Sequence, residues 1–64
     1  MPIGFGIVGC GMISHFHARA INDCRGAKLI AGFDTFTSAA DRLAETFGCT
    51  PYYDLDKMLA DPRI

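Results

Sequence analysis

The chain has 64 residues; 50% are hydrophobic, 20% are charged, and the formal net charge is −1. A chain of that length buries only about 60% of its unfolded surface, so one small domain is the ceiling and a portion of a larger one fits better. The six basic residues, Arg19, Arg25, Lys28, Arg42, Lys57 and Arg63, stand singly. That scatter excludes both a nucleic-acid backbone site and a polybasic membrane surface. The most apolar stretch, Ile3 to Ile13, is broken by four glycines and is well short of the roughly 18–20 residues of a spanning helix. It also lacks the basic start of a secretory leader, so a cytoplasmic location is expected. Cys10, Cys24 and Cys49 form no CxxC pair and no zinc framework, and each is expected as a free, buried thiol.

In chain order, Ile3 to Val8 is a short apolar run that predicts a strand covered on both faces, as in a parallel sheet. A glycine turn follows, and then Ile13, Phe16, His17, Ala20 and Ile21 recur at helical spacing as one inward stripe, closed by Asn22, Asp23 and Gly26. Lys28 to Asp34 is a second apolar run that terminates in a carboxylate. The next helix carries Phe36, Ala39, Ala40, Leu43, Ala44 and Phe47 on one stripe. Thr35 or Thr37 is placed to cap its start, and Gly48 to end it in the left-handed conformation. Cys49 to Tyr53 reads as a short third strand, held to an edge by Pro51. Asp54 then caps a brief helix through Ala60, with Leu55, Met58 and Leu59 inward and Asp61-Pro62 as its stop. The alternation of strand and helix opens a βαβ dinucleotide-type α/β domain with a parallel sheet. The chain is expected to stop inside that alternation, before a fourth strand.

Gly9-Cys10-Gly11-Met12-Ile13-Ser14 lies between the first strand and the first helix, matching G-x-G-x-x-G/A with Ser in the last slot. Gly9 permits the tight exit from the strand, and Gly11 removes a side chain where a pyrophosphate approaches the main chain. Ser14 is small enough for close helix–strand packing, and the helix N-terminus offers N–H groups and a positive dipole end. Cys10 contributes backbone rather than sulfur chemistry. Such turns also occur for purely structural reasons; the context narrows the choice. Asp34 lies 23 residues after Gly11, near the offset of about 20 expected for a ribose-binding carboxylate. Its charge favours NAD and repels the 2′-phosphate of NADP, although Arg42 leaves NADP open. The plainer alternative is that Asp34 caps the second helix.

The remaining polar residues compose no catalytic or metal constellation. His15 and His17 are two apart and do not share a helix face; His17 is expected packed on the apolar stripe and His15 at the surface. One of Tyr52 and Tyr53 is expected to pack inward. Asp54, Asp56 and Asp61 bracket a helix as cap and solvated face. No nucleophile elbow, Walker lysine or thiol–histidine pair is present, so no catalytic residue is named.

Gly6-Ile7-Val8-Gly9-Cys10-Gly11-Met12-Ile13-Ser14, with His17 three residues on, resembles the start of the glucose–fructose oxidoreductase and inositol dehydrogenase family (Gfo/Idh/MocA). Leu29-Ile30-Ala31-Gly32-Phe33-Asp34, Ala44-Glu45-Thr46-Phe47-Gly48 and Tyr53-Asp54-Leu55-Asp56-Lys57-Met58-Leu59-Ala60-Asp61-Pro62 continue the likeness across the chain. The resemblance implies a Rossmann domain followed by a C-terminal α/β substrate domain that often supports homo-oligomers. It implies hydride transfer between a nicotinamide cofactor and a hydroxyl or carbonyl of a sugar, inositol or related small molecule. Gly9, Gly11, Met12 and Ile13 would form the pyrophosphate turn and Asp34 the ribose acid. The family's catalytic lysine, in a Glu-Lys-Pro segment, and the aspartate and histidine of its substrate domain would lie beyond Ile64. The alternative reading is a non-catalytic dinucleotide-binding or structural fragment that acts through a partner.

Overall fold

The computed structural model describes residues 3–64. The elements run β1 (Ile3–Val8), α1 (Met12–Asp23), β2 (Ala27–Phe33), α2 (Thr37–Phe47), β3 (Thr50–Tyr52) and α3 (Leu55–Leu59). The three strands form one parallel sheet in the order β1-β2-β3. Helices α1 and α2 lie on the same face, where two consecutive right-handed crossovers would put them. Their Ala18, Ala40 and Leu43 meet Leu29 and Cys10 in a single buried cluster. The other face is occupied by α3 and the chain end: a Cβ on Gly6 would touch Met58 and Ile64, and one on Gly4 would strike the Arg63 carbonyl. This is the opening of a Rossmann-type α/β fold.

The ladder between β1 and β2 is irregular. Phe5 is opposite Leu29 but Gly6 is opposite Ala31, so Ile30 is an extra residue in β2. The bulge changes which residues share a face. Leu29 and Gly32, three apart, both look toward α1 and α2, while Ile30 lies beside Gly4 on the face where α3 and the chain end pack. Gly32 is required there because a Cβ would stand 2.5 Å from Leu43 Cδ2 and 3.1 Å from Cys10 Sγ. Among the described residues β3 pairs only with β2, and Pro51 sits opposite Gly32 on that edge, where its missing N–H is tolerated.

Both longer helices differ from their sequence patterns. In α1 the residues turned inward are Ser14 and Ala18, with Ile21 half-buried, while Ile13, Phe16 and His17 are exposed. In α2 Ala40 and Leu43 are buried as the stripe predicts, but Phe36 is exposed. Phe36 is the N-cap residue, and neither Thr35 nor Thr37 caps the helix through its side chain. Gly48 does close α2 in the left-handed region, at φ +70°, with its N–H on the Ala44 carbonyl (2.7 Å). Asp54 caps α3 by accepting from the Asp56 N–H (2.9 Å). Met58 is buried beneath the sheet, whereas Leu59 points outward.

Strand β1 is not covered on both faces among the described residues: Ile3 and Val8 are more than half exposed. It is the sheet's other edge, so only β2 flanks it. The cysteines also divide. Cys10 is buried, Cys49 half-buried and Cys24 exposed, and all three are free thiols.

Candidate functional site

The turn that leaves β1 is shaped by two glycines for different reasons. Gly9 has φ +92°, a region that L side chains rarely adopt, so the backbone itself demands glycine. Gly11 has an ordinary φ of −73° and extended ψ, and a Cβ there would meet nothing within 4 Å. Neither its conformation nor its protein neighbours require glycine there, and the space above its main chain is open. Gly11 is also the N-cap of α1 and offers no side-chain cap. The N–H groups of Gly11, Met12 and Ile13 have no acceptor among the described residues. Ser14 is buried, and its hydroxyl donates to the Gly11 carbonyl, which lets a polar residue fill the close-packing slot.

Asp34 follows directly on β2 and reaches this turn. Its Oδ2 accepts from the Cys10 N–H (2.8 Å) and its Oδ1 from the Phe36 N–H (2.9 Å), with the Thr35 hydroxyl at 3.4 Å. The N–H bonds from Phe36 and Cys10 hold its carboxyl below the usual aspartate range. The carboxylate therefore closes a turn around Phe36 and crosses to the glycine segment, rather than capping α2. Two further links tie the segment to β2: Gly9 N–H to the Phe33 carbonyl (2.8 Å) and Cys10 Sγ to the same oxygen (3.3 Å). Burial pushes the Cys10 thiol up to about 11, so its sulfur is a packed group and not a nucleophile.

Two grooves flank the turn and share Gly11 and Met12. One, of about 590 Å³, runs between α1 and α2 past His15, Phe16, Ala39 and Arg42. The other, of about 550 Å³, lies over the end of β1 and is lined by Val8, Ile13 and His17. The histidines thus exchange their expected places. His17 is exposed at the second groove, and His15 is half-buried with its ring edge-on to Phe47, centroids 5.5 Å apart. The signal for this swap was the position of Ser14 and Ala18, whose spacing of four marks the face that lies against the sheet.

Away from the turn, Tyr52 is half-buried and donates to Asp61 Oδ2 (2.7 Å), while Tyr53 is exposed and donates to Asp41. Asp61 is buried rather than solvated. It accepts from Arg63 Nε (2.9 Å) and from the Arg63 N–H (2.9 Å), an anchor that lies outside the glycine turn. No trio of His, Cys, Asp or Glu suited to a metal occurs among the described residues. None of their helices is long and apolar enough to cross a membrane.

Residues 3–64 match the model of an oxidoreductase family with an NAD-binding Rossmann fold, Gfo/Idh/MocA. The chain belongs to that family. Over 49 residues it is 39% identical to inositol 2-dehydrogenase of Rhizobium meliloti, a match covering 77% of this chain and 15% of that protein. Among solved structures it is similar to myo-inositol dehydrogenase of Lactobacillus casei in complex with NAD(H) and myo-inositol. That likeness has TM-score 0.87 and 27% identity, and covers 100% of this chain and 20% of that one. The WlbA dehydrogenase of Bordetella pertussis, in complex with NADH and UDP-GlcNAcA, matches with TM-score 0.85 and 37% identity over 95% of this chain and 19% of that one. The chain spans a fifth or less of each of these Gfo/Idh/MocA relatives. Within the family's Rossmann fold, the glycine turn and Asp34 sit together at the carboxyl ends of the parallel strands.

Proposed function

We propose that residues 1–64 form the first part of the cofactor domain of a nicotinamide-dependent oxidoreductase acting on a polyol or sugar. The observation that carries this reading is the turn at Gly9–Ile13, with unpartnered N–H groups at its centre and a groove on either side. That arrangement fits a ligand whose diphosphate lies midway between two ring systems. Gly11, Met12 and Ile13 would hold the diphosphate through their N–H groups and the α1 dipole. Asp34 would take the adenosine ribose hydroxyls, since a carboxylate offers about four lone-pair sites, the two main-chain N–H groups take two, and the exposed Thr35 hydroxyl at 3.4 Å can give way to a ligand.

A bound nicotinamide supplies the hydride acceptor or donor. The chain's own part is to orient that cofactor. No residue in it is placed as acid or base for the reacting hydroxyl, so that group and the substrate domain are assigned outside these 64 residues. NAD is preferred to NADP because the Asp34 carboxylate repels a 2′-phosphate. The inositol dehydrogenases among the relatives favour a polyol substrate, an alcohol carbon giving up hydride to become a carbonyl.

The test is calorimetric titration of the chain and of its Gly11→Ala variant with NAD and NADP. The open surroundings of Gly11 predict that the alanine variant keeps its stability to within about 0.5 kcal/mol. Its added methyl occupies the diphosphate approach, so NAD binding should fall by roughly tenfold or more. The wild-type chain should also prefer NAD to NADP. Equal NAD affinity in chain and variant would overturn the diphosphate assignment.

A further inference from the structure

Asp34 stands in the reading above as a ribose ligand, and it also accepts two main-chain bonds within the protein. It joins two loops that are separate in sequence, the turn after β1 through the Cys10 N–H and the turn after β2 through the Phe36 N–H. The Cys10 N–H follows directly on Gly9, whose positive φ sets the direction of the turn. A carboxylate fixed at that N–H orients the peptide from which the Gly11, Met12 and Ile13 N–H groups continue. It also takes the Cys10 N–H out of the set available to a ligand.

We propose that Asp34 is a positioning residue for the glycine turn, setting the phosphate-facing N–H groups through Cys10 whether or not a ribose is present. This rests on the turn being an anion site, as proposed above. Its consequence has a sign that simple electrostatics does not. A negative charge beside an anion site repels the anion, so deleting it by charge alone should tighten binding. If Asp34 organises the turn, deleting it should loosen binding even of an anion with no ribose to contact.

The experiment uses the full chain and its Asp34→Ala and Asp34→Asn variants with inorganic pyrophosphate as the probe, followed by amide exchange and calorimetry. The variants are expected to fold, because the Gly9 N–H and Cys10 Sγ bonds to Phe33 persist without Asp34. Pyrophosphate affinity should fall roughly fivefold in Asp34→Ala, less than the roughly tenfold or more of a charge-assisted hydrogen bond lost directly, because Asp34 acts only through the turn. Asp34→Asn retains one acceptor oxygen and should fall between wild type and alanine. In the wild-type chain the Cys10 amide should exchange more slowly than those of Gly11 and Met12, and that protection should vanish in Asp34→Ala. Unchanged or tighter pyrophosphate binding in Asp34→Ala would overturn the proposal. So would a Cys10 amide that exchanges in the wild type as fast as its two neighbours. A wild-type chain that binds neither pyrophosphate nor NAD would instead defeat the anion-site reading, and the Cys10 exchange rate would still judge the role of Asp34.

Discussion

At the scale of single residues, two aspartates do most of the polar organisation, by different means. Asp34 is held below the ordinary carboxylate range chiefly by the Phe36 and Cys10 N–H groups. Asp61 is held well below it by the Arg63 side chain first, then by the Arg63 N–H and the Tyr52 hydroxyl. A carboxyl whose folded pKa is depressed adds stability that is fully present above its unfolded pKa and is lost as pH falls through the folded value. The melting temperature is therefore expected to hold down to about pH 5 and decline steadily below it. Asp61→Asn should lower the melting temperature at neutral pH and flatten that acid limb, as read by circular dichroism from pH 7 to pH 2.5. An acid limb of unchanged steepness in Asp61→Asn would contradict this account of Asp61.

Among elements, the contact that decides the layer spacing is between β2 and α2. Leu43 lies directly on Gly32, and Cys10 Sγ closes the same gap from the glycine turn. Gly32→Ala forces a methyl to within 2.5 Å of Leu43 Cδ2, so the helix must shift or Leu43 must leave its rotamer. Overpacking of this kind costs about 1–3 kcal/mol, and urea unfolding should show a lowered midpoint with little change in slope. Shortening the opposing residue, in Gly32→Ala with Leu43→Val, should recover part of the loss. The alternation of β2 alone would have placed Leu29, Ala31 and Phe33 together. The extra residue at Ile30 is what brings Gly32 under Leu43, and nothing local in Lys28–Asp34 announces a bulge.

On the scale of the whole molecule, the open edge of β1 and the outer side of α1 expose unusual apolar area. Met12 is 85% exposed, Phe16 71% and Ile13 70%, and Val8 adjoins them at the strand end. Contiguous apolar surface of this sort is uncommon on free-standing domains. The chain is therefore expected to bind the dye ANS at pH 7 while still unfolding cooperatively in urea. Phe16→Ser should reduce that fluorescence with a stability change of only about 0.5 kcal/mol, since the side chain is outside the buried cluster. Absence of ANS binding by the folded wild-type chain would show that this surface is closed in solution.

Element order, the end of α2 at Gly48, the edge position of Pro51 and the Asp54 cap were all readable from the chain, because each depends on neighbours within a few residues. The glycine turn was readable as a local pattern as well, whereas the offset to Asp34 was readable only by assuming two strand ends side by side in one parallel sheet. What needed tertiary structure was the depth at which each helix lies. Apolar spacing on α1 marked Ile13, Phe16 and His17, yet the helix starts so close to the sheet that the small Ser14 and Ala18 are the residues buried between them. Burying Asp61 required Tyr52 and Arg63 to converge on it, and crossing from Asp34 to Cys10 required the two strands to be in register. Periodicity orders residues around one axis, whereas the distance between that axis and its neighbours is set by the packing of all the elements together.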